Sequence, residues 1–165
     1  MNTLLIQVAS NPADVSGMDE LLWRVLWQPI GLPRQVRRRF LVAGEQIELV
    51  AKQDDRLVGG LVAAKTADAE IELRHLAVSA SERGRGIGRR LVEALIREAA
   101  SRGCNRVHTI ARNSSAGFFR KLGFRPAAGV APEHPAFARH GITFELMEMM
   151  IESAGTGQAR PGLRD

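Results

Sequence analysis

The sequence predicts a mixed α/β domain, with one mostly antiparallel sheet of about six or seven strands flanked by helices. Three observations carry this. Strand-like segments, most of them alternating apolar and polar residues, recur at 3–9, 45–52, 56–65, 70–78, 106–111 and 141–151. One run has an apolar period of 3.6 residues, with Leu91, Val92, Leu95, Ile96 and Ala99 on one face and Arg89, Arg90, Glu93, Arg97 and Glu98 on the other. That helix separates the strands at 70–78 and 106–111, and such a crossover makes the two parallel within an otherwise antiparallel series.

Residues 3–9 read as a first strand with Leu4, Ile6 and Val8 on one face. Asn11-Pro12-Ala13-Asp14 turns into a helix carrying Leu21, Leu22, Val25 and Leu26, and Trp23 and Trp27, four apart, share a face of it. Pro29 and Pro33 break that helix, and residues 34–40 form a short second one. Asp54-Asp55 joins two strands as a hairpin, and Gly59-Gly60 within the second indicates a bulge or a close neighbouring backbone. A turn at 66–68 leads to the strand at 70–78, on which His75 shares a face with Ile71 and Leu73. After the strand at 106–111, Asn113 or Ser114 caps a helix that ends at Gly123, before a short strand near Phe124. Residues 127–141, rich in proline, form a long loop before the final strand. Residues 1–152 are expected to make one domain, and 153–165 a disordered tail.

The 165 residues suffice for a real core, and 45% hydrophobic with 25% charged residues is ordinary for a soluble protein. No secretory or membrane-spanning run is legible, and the single Cys104 suits a reducing compartment, so a cytoplasmic protein is expected. The net charge of +5 raises nucleic-acid binding as an alternative. The arginines are scattered, however, and the few aromatics do not interleave with them as a base-stacking surface requires.

A specific anion explains the charge better. Arg83-Gly84-Arg85-Gly86-Ile87-Gly88-Arg89 stands immediately before and within the first turn of the amphipathic helix. Unpaired backbone N–H groups and the helix dipole favour an anion there, glycines allow its close approach, and arginines add charge-assisted hydrogen bonds. The stretch reads as a pyrophosphate cradle. It is not a dinucleotide fingerprint, because Gly84, Gly86 and Gly88 are evenly spaced and a polar turn precedes them. It is not a Walker loop either, since Gly-Lys-Ser/Thr is absent.

Together these residues resemble the GNAT family of acetyl-CoA-dependent N-acetyltransferases. The family's phosphate motif, Arg/Gln-x-x-Gly-x-Gly/Ala, is met by Arg83, Gly86 and Gly88. The strand ending Leu76-Ala77-Val78 and the later Lys121-Leu122-Gly123-Phe124 fit as well. The resemblance implies that the parallel strands splay to take acetyl-CoA, with Leu76, Ala77 and Val78 along the pantetheine arm. Residues 83–89 (Arg83, Gly84, Arg85, Gly86, Ile87, Gly88 and Arg89) would hold the pyrophosphate, and Asn113 and Phe119 would lie beside the arm. The backbone N–H of Leu76 would face the thioester oxygen. Glu72 aligns with the family's strand-borne base, and Glu70 shares its face. Trp27, Arg34 and His134 are the candidate acceptor contacts, and no metal is implied. The acceptor would be a primary amine of a small molecule or peptide, and Glu133, His134 and the strand carboxylates suggest a cationic one.

One departure stands out. Many members carry a tyrosine, as acid for the leaving thiolate, where this chain has Phe119, and this sequence contains no tyrosine. A non-catalytic acyl-CoA-binding module is therefore the alternative to an enzyme. Pairing of two copies through the last strand would make a homodimer.

Overall fold

The computed structural model describes residues 3–40 and 43–152; the tail expected at 153–165 lies outside them. Chain order runs β1 (Leu4–Val8), α1 (Pro12–Leu22), β2 (Glu45–Gln53), β3 (Arg56–Ala67), β4 (Glu70–Val78), α2 (Ile87–Ser101), β5 (Arg106–Arg112), α3 (Ala116–Lys121), β6 (Arg125–Pro126), α4 (Pro135–Ala138) and β7 (Phe144–Met150). The strands form one sheet in the order β1-β2-β3-β4-β5-β7-β6. All neighbours are antiparallel except β4 and β5, the pair joined by the α2 crossover.

Each face of the sheet carries its own core. Leu91, Val92, Leu95 and Ala99 of α2 pack on Leu49, Leu61, Ala63, Ile71, Leu73 and Val107, with Cys104 buried beside them. On the opposite face, Met18, Leu21 and Leu22 of α1 gather with Trp27, Val36, Val50, Val62, Ala77 and Phe137. Arg37 ties the segment after α1 to both neighbours, pairing with Asp19 and, at 2.6 Å, with Glu48 of β2. The hairpin at Asp54-Asp55 is made as expected, both residues having positive φ (52° and 66°), as a two-residue turn between twisted strands requires. Among the described residues no helix is long and apolar enough to cross a membrane.

Several local expectations are corrected. Val8 is 52% exposed, so only Leu4 and Ile6 of β1 face the core. Against β2, the bulge in β3 falls at Val58, skipped between the pairs Ala51↔Gly59 and Lys52↔Leu57. Gly59 and Gly60 make room for side chains instead of a backbone. A Cβ on Gly59 would sit 3.0 Å from Ile87 Cγ2 and 3.1 Å from Leu91 Cδ1, and one on Gly60 would sit 2.6 Å from Met18 Sδ. The helix after Pro12 does not run on regularly, because Trp23–Trp27 forms a π-helical turn followed by a 3₁₀ turn at Gln28–Ile30. Trp27 is thereby buried, while Trp23 stays half-buried, donating to Leu32 O at 2.9 Å beneath the Arg34 guanidinium. Neither Asn113 nor Ser114 caps α3. Ser115 occupies that position, and Asn113 instead bridges to the start of β7. The long loop contains α4, which buries Phe137.

Candidate active site

The site begins where the parallel ladder ends. β4 and β5 pair from Glu70↔Arg106 to Leu73↔Thr109 and no further. Thr109 closes the ladder, its hydroxyl donating to Leu73 O at 2.9 Å. Beyond that point β5 stays with β7 as far as Arg112↔Phe144, while β4 stays with β3. A β-bulge drives the separation: His75 pairs with Val62 and Leu73 with Ala63, leaving Arg74 as the extra residue. An extra residue bends its strand and reverses the alternation of faces beyond it.

That reversal corrects the expected position of His75. Leu73 faces the α2 core, but His75 faces the other one, edge-on to Trp27 with ring centroids 5.0 Å apart. Burial, and then the positive charges of Arg74, Arg37 and Arg112, lower the His75 pKa to about 3, so the imidazole is neutral at physiological pH.

The parted strands enclose a cleft of about 990 Å³, counting its open mouth. Arg74, His75 and Leu76 form one wall, and Ile110, Ala111 and Arg112 the other. Ser115, Phe118 and Phe119 close one side; Leu26, Trp27, Phe137 and Phe144 close the opposite one, with Pro132, Glu133 and His134 at the exposed rim. Phe119 is buried between Phe118 and Phe124, at centroid distances of 5.1 and 5.2 Å. Arg112 is half-buried, donates to Leu26 O at 2.8 Å and holds its guanidinium 5.3 Å from the Phe137 ring centroid. Burial lowers its pKa from the usual guanidinium value.

At the far end of β4, Ser79 leads through a 3₁₀ turn (Ala80–Glu82) into the glycine loop. Gly84 and Gly86 have φ of +80° and +77°, the left-handed region that side chains disfavour. Gly86 is also the N-cap of α2, and no side chain caps that helix start. Its first-turn N–H groups are thus left to an outside acceptor. Arg83, Arg85 and Arg89 are exposed around it. Gly88 lies against Phe118 and Val78, where a Cβ would sit 3.3 Å from the Phe118 ring. Glu82 is buried beneath the loop, with Arg85 at 3.5 Å and Arg56 at 3.6 Å. An uncapped helix start ringed by exposed arginines fits a pyrophosphate.

The other expected site residues are dispersed around this cleft. Trp27, Leu76, Phe119 and His134 line it. Glu72 lies below the split, one residue before Leu73, and pairs with Arg74 at 3.3 Å. Glu70 lies two residues further back, pairing with Arg106 at 3.1 Å. Asn113 sits past the end of β5, its carboxamide donating to Gly141 O and accepting from Thr143 N, each at 3.1 Å. Arg34 does not line the cleft; it pairs with Glu20 and covers Trp23. The sequence reading missed Arg74, Arg112 and Phe137. Arg112 directly follows the segment read as a strand, and Phe137 is the bulky apolar residue of the loop; these were the available signals.

Strands parted in this way, with an anion cradle at the end of one of them, define the class as an acyl-CoA-dependent transferase. The profile of the acetyltransferase (GNAT) family matches residues 15–124, and the chain belongs to that family. It is accordingly an acetyl-CoA-dependent N-acetyltransferase. Similar solved structures share the fold. An aminoglycoside 6′-N-acetyltransferase complexed with coenzyme A is 22% identical with a TM-score of 0.71, over 88% of this chain and 96% of that one. The ribosomal-protein-S18-alanine N-acetyltransferase from Escherichia coli is 21% identical with a TM-score of 0.69, over 94% and 97%. The N-acetylglutamate synthase from Neisseria gonorrhoeae, complexed with coenzyme A and N-acetyl-glutamate, is 20% identical with a TM-score of 0.68, over 91% of this chain and 35% of that one. A comparison with curated proteins finds no match.

Proposed function

We propose that the chain passes the acetyl group of acetyl-CoA directly to the primary amine of a small molecule or peptide, in the cleft between β4 and β5. The observation that carries this reading is the end of the parallel ladder at Leu73↔Thr109, on the strand that leads to the uncapped start of α2. Bound acetyl-CoA supplies a thioester carbonyl as the electrophile. Gly84, Gly86, Ile87 and Gly88 would hold its pyrophosphate through backbone N–H groups, and Arg83, Arg85 and Arg89 through charge. Leu76, Ala77 and Val78 would align the pantetheine arm along the strand edge that β5 leaves, with the Leu76 N–H directed to the carbonyl oxygen. Asn113 would fix the rim by tying the end of β5 to β7, and Phe119 would pack beside the arm.

The nucleophile must be a neutral amine, and an alkylammonium with a pKa of about 10.4 is neutral in only about one molecule in a thousand at pH 7. Glu72, which stands below the split and does not line the cleft, would take that proton through a water, with Glu70 behind it as a lesser contributor. Phe119 cannot donate a proton to the leaving group. A thiol of pKa about 8.5 departs tolerably as thiolate, and Ser115, one turn before Phe119 and lining the cleft, is the proposed hydroxyl partner. Trp27 and His134 are the proposed acceptor contacts. Arg34, engaged outside the cleft, is not among them. A second copy of the chain along the part of β7 that β6 leaves uncovered is the proposed homodimer contact, to be checked by sedimentation.

The test is calorimetric titration with acetyl-CoA against an NADH control, followed by thiol release with a panel of amines. One-to-one binding near micromolar Kd, about −8 kcal/mol, without NADH binding and with amine-dependent release, is expected. Absence of acetyl-CoA binding would remove the reading.

A further inference from the structure

We propose that the acceptor carries a carboxylate as well as its amine, and is a free amino acid with an apolar side chain. This rests on the acetyl-transfer reading and names the substrate class of the same cleft. The expectation from the sequence was a cationic acceptor, drawn from Glu70, Glu72, Glu133 and His134. Folding redistributes those charges. Glu70 and Glu72 are engaged by Arg106 and Arg74, and neither lines the cleft. Among the described residues Glu133 is the only carboxylate on its lining, and it is exposed at the rim. Two arginines, Arg74 and Arg112, reach the walls instead.

Arg112 is the informative one. Arg37, Arg74, Arg102 and Arg106 are half-buried like it, and each has a carboxylate partner. Among the described residues Arg112 has none. Its partners are one carbonyl, Leu26 O, and the face of Phe137. A guanidinium has five N–H donors in a planar fork suited to a carboxylate, and leaving its charge unpaired in a partly desolvated place is costly. The surrounding wall of Leu26, Trp27, Ile110, Phe137 and Phe144 is apolar or aromatic and suits an apolar side chain. A polycation entering this space would meet Arg74 and Arg112 as like charges, whereas a carboxylate would supply the missing partner.

The experiment follows thiol release from acetyl-CoA with apolar L-amino acids, their methyl esters, the matching decarboxylated amines and a polycationic amine. At least one free acid is expected to exceed its ester in kcat/KM by about ten- to a hundredfold, the worth of a charge-assisted hydrogen bond. Arg112→Gln should narrow that gap to within about threefold, through KM for the acid and not for the ester. The acid-against-ester comparison needs no variant, so a folding defect in Arg112→Gln does not obscure it. Esters or the polycation turning over as well as the acids would overturn the carboxylate assignment and leave acetyl transfer standing. If no amine releases thiol, the acetyl-transfer reading fails. Calorimetry of the CoA-saturated protein with N-acetyl amino acids and their methyl esters then decides the present point, since no preference for the acid overturns it.

Discussion

The Trp27 indole meets the His75 imidazole edge-on, with centroids 5.0 Å apart and planes at 86°. The contact exists because two irregularities coincide: a π-helical turn ends at Trp27, and a bulge at Arg74 turns His75 toward it. His75 is buried and neutral as a result. Its folded pKa of about 3 lies below the ordinary 6.5, and that of His108 is lowered in the same direction, mainly by burial. Between these values the unfolded chain binds more protons than the folded one. The stabilisation is therefore complete above about pH 6.5 and is lost progressively as the pH falls toward about 3, each unit of separation being worth about 1.4 kcal/mol. Urea midpoints should fall between pH 7.5 and pH 5, and His75→Gln should flatten the slope. A variant whose slope matches the native one would relieve His75 of this role.

Glu72→Gln tests the proposed base. We expect kcat to fall by about 10²–10⁴, with an unaltered acetyl-CoA affinity by calorimetry. Glu70→Gln, further from the split, should cost less than about tenfold. Equal effects from both would reduce the pair to a shared electrostatic influence on the sheet.

Phe119→Tyr returns a proton donor to the side of the cleft. Because a thiolate leaves tolerably unaided, the gain in kcat should lie at or below the lower end of general-acid effects, about a hundredfold, and Ser115→Ala should slow the native chain but not this variant. Steady-state kinetics on the native chain, the two single variants and the double variant settle it; an inert Phe119→Tyr with a native-like Ser115→Ala would mean that water alone serves the leaving group.

The glycines separate binding from stability. Gly86→Asp places a charge and a disfavoured φ at the α2 start and should weaken acetyl-CoA at least about tenfold, or 1.4 kcal/mol. Gly59→Val would press on Ile87 and Leu91 and should destabilise the fold by about 1–3 kcal/mol. Calorimetry and urea unfolding read the two independently. Undiminished binding by Gly86→Asp would remove the cradle.

The division between chain and fold follows from the range of the interactions. Periodicity is local, so the strands at Glu70–Val78 and Arg106–Arg112, the face of α2 and the glycines at its start were legible in residue order. The crossover made β4 and β5 parallel by the same local logic. Bulges are decided by partner strands. Nothing near Arg74 in the sequence announces the extra residue, because it is an excess relative to β3, so the strict period of two put His75 on the wrong face. The helix through Trp23 likewise gave no local sign of the π-helical turn that buries Trp27.

Charge shows the same limit. The sequence determined which acids and arginines exist and which strand carries each. Only tertiary packing decided that Glu70 and Glu72 would be engaged by arginines from β5 and β4, while Arg112 arrived at the cleft wall with a carbonyl and a phenyl ring for partners. The proposed cofactor cradle was readable because it lies in one contiguous loop and the turn behind it. The cleft proposed for the acceptor was not, because α4, the π-helical turn and the ends of two parted strands, far apart in sequence, each contribute a wall.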